Sequence, residues 1–375
     1  MNNNRQYKRT INRRDFLKLL GVGTVALGGG AFLSSCGQAL TSVPTSGPTS
    51  APTAIPPTAT ATLKPNYKVR TPVIASLDFD AAPILYALEN GMFTENGINF
   101  EVIETGSGEA VSNQALQLLL ANHVDFGNLN FPDGFFPVLD GAPLKGLGQF
   151  TVNGRPDYWM IVKKDIQTWK DLEGKKYVVS GAGSPPSAIG RYAMKQAGVN
   201  VDLVEFVPLG GSSARTQALL AGQVDAALIH PLNAIPLLAS NPNFRSLGNV
   251  GKDFPMIFSV EATMADTIAQ NRGMVVAYVK TNVQAVRLFL SDRELAVDYY
   301  ISKVPDADRD LMNQVWQIYN DLQVWDANGG IDNKALFEAS MNAYVDDTGL
   351  PQAVSWDSFM DISILEDVIA DIGKI

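Results

Sequence analysis

The heptapeptide Leu119-Leu120-Ala121-Asn122-His123-Val124-Asp125 returns one hundred positions later as Leu219-Leu220-Ala221-Gly222-Gln223-Val224-Asp225. A short apolar run follows each copy and ends in a proline, Pro132 and Pro231. Both copies read as a helix end, a tight reversal and a buried strand. The leucines close the apolar face of a helix, and Asn122 and Gly222 are residue types that tolerate the left-handed conformation just past a helix C-terminus. Val124 and Val224 fold back onto that helix, and the strands Asp125–Leu129 and Asp225–Ile229 carry the chain inward. A helix feeding a short apolar strand is half of a βαβ unit. Its occurrence twice predicts two similar α/β lobes with a cleft between them.

The N-terminus reads as an address rather than as part of the fold. Arg5, Lys8 and Arg9 lead to Asn12-Arg13-Arg14-Asp15-Phe16-Leu17-Lys18, which resembles a twin-arginine export motif. The glycine-rich apolar run Leu19–Leu33 is too short for a confident membrane span. It ends in Leu33-Ser34-Ser35-Cys36-Gly37, which resembles a bacterial lipobox, so residues 1–35 are expected to be a signal peptide and Cys36 the lipidated residue. Residues 36–65, rich in Thr, Ser, Pro and Ala, are the composition of an extended tether that cannot build a core.

Cys36 is the one cysteine in the chain, which excludes an intrachain disulfide, a cysteine-ligated zinc site and a catalytic thiol in the folded body. The only histidines are His123 and His230, so a His-cluster metal site or a Ser-His-Asp arrangement has little to draw on. No Asp/Asn loop has EF-hand spacing, and neither a metal nor a cofactor is expected. The chain holds 29 Lys and Arg against 38 Asp and Glu; six of the bases but one of the acids precede Cys36, leaving 23 bases facing 37 acids. Such an acidic body is a poor nucleic-acid binder, which must neutralise phosphates.

From Asn66 onward the pattern alternates strands and helices. Val69–Ser76 reads as a strand, a helix starts near Pro83 and stops at Gly91, and Asn99–Glu104 is a second strand. A helix opens near Glu109 or Ala110, a short helix covers Asp133–Asp140, and Leu144–Val152 is another strand. In the second half, Tyr158–Val162, Tyr177–Val179 and Val204–Val207 read as strands, with helices over Ser187–Ala197 and Ala214–Ala221. The loops after these strands matter most, because open α/β sheets bind ligands at the carboxyl ends of their strands. They are Leu77-Asp78-Phe79-Asp80, Thr105-Gly106-Ser107-Gly108, Asn128-Leu129-Asn130-Phe131-Pro132, Ser180-Gly181-Ala182-Gly183-Ser184-Pro185-Pro186 and Pro208-Leu209-Gly210-Gly211-Ser212-Ser213. The Ser184 loop combines small residues, a serine and a helix N-terminus, but lacks the Walker A and Gly-x-Gly-x-x-Gly orders. His230 stands at the same offset as Asn130, which puts both on a cleft rim if the lobes are alike; His123 falls in the turn itself. After Met256–Glu261, read as a strand crossing back to the first lobe, helices at Met274–Ser291, Glu294–Ser302, Asp306–Leu322 and Asn333–Val345 are expected to cap that lobe.

From Tyr67 to the end the chain resembles solute-binding proteins of ABC importers, in the group that binds nitrate, taurine, alkanesulfonates and thiamine-pyrimidine precursors. The resemblance rests on Ala87-Leu88-Glu89-Asn90-Gly91-Met92-Phe93 with Gly97-Ile98, on the repeated Leu-x-x-Gly/Asn-x-Val-Asp, on Asp171-Leu172-Glu173-Gly174-Lys175-Lys176, and on Phe359-Met360-Asp361 with Leu365-Glu366. It implies a bilobal periplasmic-binding-protein fold of type II, with lobe 1 from 66–152 plus 256–375 and lobe 2 from 153–255. The crossings would lie near Thr151–Asp157 and Val250–Pro255 and allow hinged closure. By position, the ligand contacts implied are Asp78, Phe79, Ser107, Asn130, Phe131, Ser184 and His230.

Arg155, Arg191 and Arg215 are the guanidinium groups near these loops, and none sits in a loop itself, so the residues do not demand a tightly bound anion. Phe79, Phe131 and Trp159 are the rings able to sandwich a flat solute. The expected role is therefore a lipid-anchored, extracytoplasmic, monomeric and non-catalytic receptor. It would take a sulfonate, taurine-like or pyrimidine-like solute and pass it to an ABC permease. Two alternatives stay open. Fungal pyrimidine-precursor synthases resemble this scaffold but rely on a cysteine-rich motif, whereas the body here has no cysteine. A sensor subunit reporting ligand occupancy would look the same in sequence.

Overall fold

The repeat organises the computed structural model as it does the sequence. The structure describes residues 65–72, 79–103, 110–131, 133–150, 157–181, 184–257, 259–304, 306–348 and 350–375, all within one compact unit, Thr62–Ile375. The signal, the lipobox with Cys36 and nearly all of the tether lie outside the described residues, as do Asp78, Ser107 and the crossing 151–156. Among the described residues no helix is long and apolar enough to cross a membrane, and no group of three or more His, Cys, Asp or Glu is placed to hold a metal ion.

The strands are β1 (Tyr67–Pro72), β2 (Ile98–Ile103), β3 (Gly127–Asn130), β4 (Leu144–Gly148), β5 (Trp159–Lys163), β6 (Lys176–Val179), β7 (Glu205–Pro208), β8 (Ala226–Ile229), β9 (Phe244–Asn249) and β10 (Ser259–Met264). The helices of two turns or more are α1 (Ala82–Glu89), α2 (Ala110–Leu120), α3 (Pro185–Gln196), α4 (Ser212–Leu220), α5 (Pro231–Ser240), α6 (Ala265–Ser291), α7 (Arg293–Lys303), α8 (Arg309–Leu322), α9 (Lys334–Thr348) and α10 (Ile362–Ile372). Parallel β1 and β2 form a two-stranded sheet, and β10 runs antiparallel between β3 and β4 in a three-stranded one. The third sheet has the order β7-β6-β8-β5-β9, with β7, β6 and β8 parallel and β5 antiparallel to both its neighbours. Helices packed around one parallel, one antiparallel and one mixed sheet give the α/β bilobal architecture expected from the alternating pattern.

Both copies of the repeat make the same turn. Asn122 (φ 56°) and Gly222 (φ 70°) are left-handed. The next N–H, of His123 or Gln223, closes back on the helix carbonyl of Leu118 or Ala218 at 2.8 and 3.0 Å. Val124 and Val224 are buried beneath it. The aspartates also match. Asp125 accepts the Arg70 backbone N–H at 2.6 Å and pairs with the Arg70 guanidinium at 2.5 Å. Asp225 accepts the Lys176 N–H at 2.9 Å and pairs with the Lys163 ammonium at 2.6 Å. Each carboxylate thus ties the turn to a strand edge whose N–H would otherwise go unpaired.

The C-terminal helices depart from expectation. They do not cap the first lobe alone: α9 packs against α3, and α8 against α5. One apolar cluster consequently runs from Leu129, Phe131 and Val260 through Phe337 and Tyr344 to Met160, Tyr177 and Ile189.

Candidate functional site

Strand direction gathers the polar groups. The parallel strands β6, β7 and β8 end on one edge of their sheet, and antiparallel β5 begins there. Ser180, Gly210, Gly211, His230 and Asp157-Tyr158 therefore meet at that edge. Asp157, 2 % exposed, is the centre of the group. Its Oδ1 lies 2.8 Å from His230 Nδ1, and its Oδ2 accepts the Tyr319 hydroxyl at 2.6 Å. Tyr319 belongs to α8 and His230 caps the start of α5, so one carboxylate ties a C-terminal helix to the edge of the five-stranded sheet. The Tyr158 ring lies 4.2 Å from the His230 imidazole. Burial alone would raise the Asp157 pKa, but the positive charge and hydrogen bond of His230 and the Tyr319 hydroxyl outweigh it and hold the carboxyl below the usual range.

Ser184 is the residue before α3 and folds its hydroxyl back, donating to Gly181 C=O at 2.8 Å and accepting the Gly181 N–H at 3.2 Å. It braces the loop that the sequence singled out. Below that loop lies Arg215, 1 % exposed, in the first turns of α4. Nε donates to Leu228 C=O at 2.9 Å, and Nη1 donates to Ser180 Oγ at 2.6 Å and to Gly210 C=O at 2.9 Å. Ser212 Oγ accepts the His230 N–H at 3.2 Å, joining the two groups.

On the other sheets, β3 and β4 run the same way and β10 starts where they finish, so Asn130 sits opposite Ser259 and Gln149 follows the end of β4. Gln149, 2 % exposed, accepts from Asn333 Nδ2, while its own Nε2 meets no acceptor among the described residues. Phe79 and Phe131 are each 1 % exposed. Phe79 is ringed by Tyr300, Tyr319 and Trp325 with centroids 5.1–5.4 Å away. Phe131 packs on Phe135 at 4.2 Å and on Tyr344 and Phe337. Neither offers an open face to a flat ring, because the C-terminal helices cover both. Trp159 packs on the cluster around Ile161 and Ala234, with its indole Nε1 buried and without a partner among the described residues. His123 is exposed in its turn.

Glu261, on β10, accepts the Tyr278 hydroxyl at 2.9 Å and is hydrogen-bonded by Asn128. It keeps some accessible surface but lies deep among protein atoms, and burial pushes its pKa up to about 7 against those two donors. A carboxyl raised in the folded state stabilises the fold fully below its unfolded pKa, and that contribution drains away as pH rises towards 7. The loss amounts to up to about 3 kcal/mol. Denaturant unfolding of Glu261→Gln beside the parent, from pH 4.5 to 8, should show the parent losing this increment relative to the variant. Parallel curves would place the carboxyl in water.

Sequence reasoning missed Asp157, Tyr158, Tyr319, Arg215, Gln149 and Glu261 as site residues. The signal present was positional for two of them. Asp157-Tyr158 immediately precede an antiparallel strand, whose start falls at the same sheet edge as the ends of its parallel neighbours.

A family model described as NMT1/THI5 like matches residues 78–303. The fold is that of periplasmic binding proteins. The periplasmic aliphatic sulphonate binding protein SsuA of Escherichia coli superposes with a TM-score of 0.61 at 18% identity, over 78% of this chain and 91% of that one. The alkanesulfonate-binding protein SsuA of Xanthomonas axonopodis pv. citri, solved bound to MOPS, gives 0.58 at 17% over 79% and 98%. A putative thiamine biosynthesis protein of Haemophilus influenzae is 28% identical over 149 residues, 40% of this chain; the match spans under half, 45%, of that protein. This chain belongs to the NMT1/THI5-like family.

Proposed function

We propose that this chain is an extracytoplasmic receptor, non-catalytic and monomeric. It captures a small organic solute between the two groups of strand ends and hands it unaltered to an ABC permease. The solute is sulfonate, taurine-like or pyrimidine-like. Lipidated Cys36 anchors it and residues 36–65 give it reach. The lobes divide as 66–152 plus 256–375 and 153–255, with Asp78, Phe79, Ser107, Asn130, Phe131, Ser184 and His230 as solute contacts and Tyr158 beside them. The observation that carries the reading is the convergence on Asp157 of His230, from the five-stranded sheet's edge, and Tyr319, from the C-terminal helices. A polar link of this kind holds two rigid halves in register around a cleft. Membership of the NMT1/THI5-like family supports it, as does a body without cysteine.

Thermal unfolding in the presence of alkanesulfonates, taurine and 4-aminopyrimidines tests the reading. A true solute at a hundred times its dissociation constant adds about 2.7 kcal/mol and raises the melting temperature in proportion. A panel that leaves the melting temperature flat throughout sinks it.

A further inference from the structure

Two stretches of chain carry the backbone between the three-stranded and the five-stranded sheet, one from β4 to β5 and one from β9 to β10. The second starts on the side of the five-stranded sheet. There the Val250 N–H donates to Tyr158 C=O at 2.8 Å, and the Phe254 ring stands edge-on to Trp169 with centroids 5.3 Å apart. Three residues on, the backbone of Ile257 is held by a different element. Its N–H donates to Ser340 Oγ at 2.9 Å, and its C=O accepts the Tyr344 hydroxyl at 3.3 Å. Ser340 and Tyr344 are four positions apart on α9 and so share one face of it. All three residues are buried. A buried peptide group outside regular structure must find its partners elsewhere, and here one helix supplies both.

The same part of the chain reaches the first connection. Asn333, immediately before α9, donates to Gln149 Oε1, and Gly329 C=O accepts the Gln149 N–H at 3.0 Å just past β4. Tyr319, on α8, holds Asp157 just before β5. Helix α9 also rests on both sides of the molecule. Phe337 lies against Phe131 and Phe359, while the helix packs on α3 and its Asp346 C=O accepts the Lys195 ammonium at 3.5 Å. Hinges bend where a few backbone residues are free to rotate. With Phe254 anchored on one side and Ile257 on the other, the second connection keeps only Pro255 and Met256 between its anchors, and the φ of a proline is locked.

We infer that the segment from α8 to α9 is a splint across these connections, and that Ser340 and Tyr344 are positioning residues that set the angle between the two groups of strand ends. This rests on the solute-receptor reading and adds to it residues that touch no solute. Removing the two bonds releases Ile257 and lets the sheets populate a second separation.

Double electron–electron resonance on the full chain reads that separation. Spin labels go on Lys68→Cys in β1 and Lys164→Cys after β5, both exposed, in a Cys36→Ser background that leaves no other thiol. The parent should give one narrow distance distribution. Ser340→Ala combined with Tyr344→Phe should add a second separation, each lost bond raising its share by about fivefold. Phe337→Leu loosens α9 without touching Ile257 and should keep the narrow distribution. Should the double variant fail to fold, Tyr344→Phe alone, which keeps the ring, carries the same test at about fivefold. A broad distribution in the parent, a narrow one in the variants, or equal broadening by Phe337→Leu overturns the splint. The distances are read without solute, so the two readings fail separately. Unmoved distances beside a solute that raises the melting temperature sink the splint alone, and a second separation beside a flat panel of alkanesulfonates, taurine and 4-aminopyrimidines sinks the receptor alone.

Discussion

Phe131→Ala should lower the stability of the fold by about 3–5 kcal/mol, the cost of emptying a close-packed aromatic site. Phe131 has essentially no accessible surface and touches three other rings, one on the short helical turn after β3 and two on α9. The cavity left cannot collapse easily, because Phe135 and Phe337 are themselves held by Phe359. Urea unfolding followed by far-ultraviolet dichroism measures the loss. A variant as stable as the parent would contradict this packing.

Asp157→Asn should cost about 1.5–3 kcal/mol at neutral pH, since it removes the carboxylate that holds both His230 and the Tyr319 hydroxyl in a buried site. Tyr319→Phe, which leaves the contact with His230 intact and deletes one hydrogen bond to a carboxylate, should cost about 1.5–3 kcal/mol. The pH dependence has a definite sign. The Asp157 carboxyl is held below its ordinary pKa, so its contribution is present above pH 4 and disappears as pH falls through the lower, folded value. The gap between parent and Asp157→Asn should therefore stay open from pH 7 to about 4 and close beneath that. A gap that closes nearer pH 6 would mean the carboxyl is not ionised in the folded protein. Solute affinity should fall in both variants, because Asp157 fixes the His230 ring and the position of α8 beside it.

Much of the architecture was readable before folding because its cues are local. A left-handed residue between two leucines and a valine specifies a turn within seven positions, and Asn122 and Gly222 obey it. Pro83 starts α1 and Gly91 turns left-handed just past it, as single-residue conformational preferences dictate. Even the placement of Asn130 and His230 at strand ends follows from two short apolar runs.

What the tertiary structure alone decided is which side chains meet across long stretches of chain. Asp157 and Tyr319 are 162 positions apart, and nothing in either neighbourhood announces the other. The rings of Phe79 and Phe131 looked available because the helices that bury them are written more than 150 residues downstream. Arg215 reads as an ordinary helix residue until three strand ends come together around its head. Local preference is set by one residue's own backbone. Burial and charge compensation depend on every atom that folding brings near, and only the assembled core supplies those.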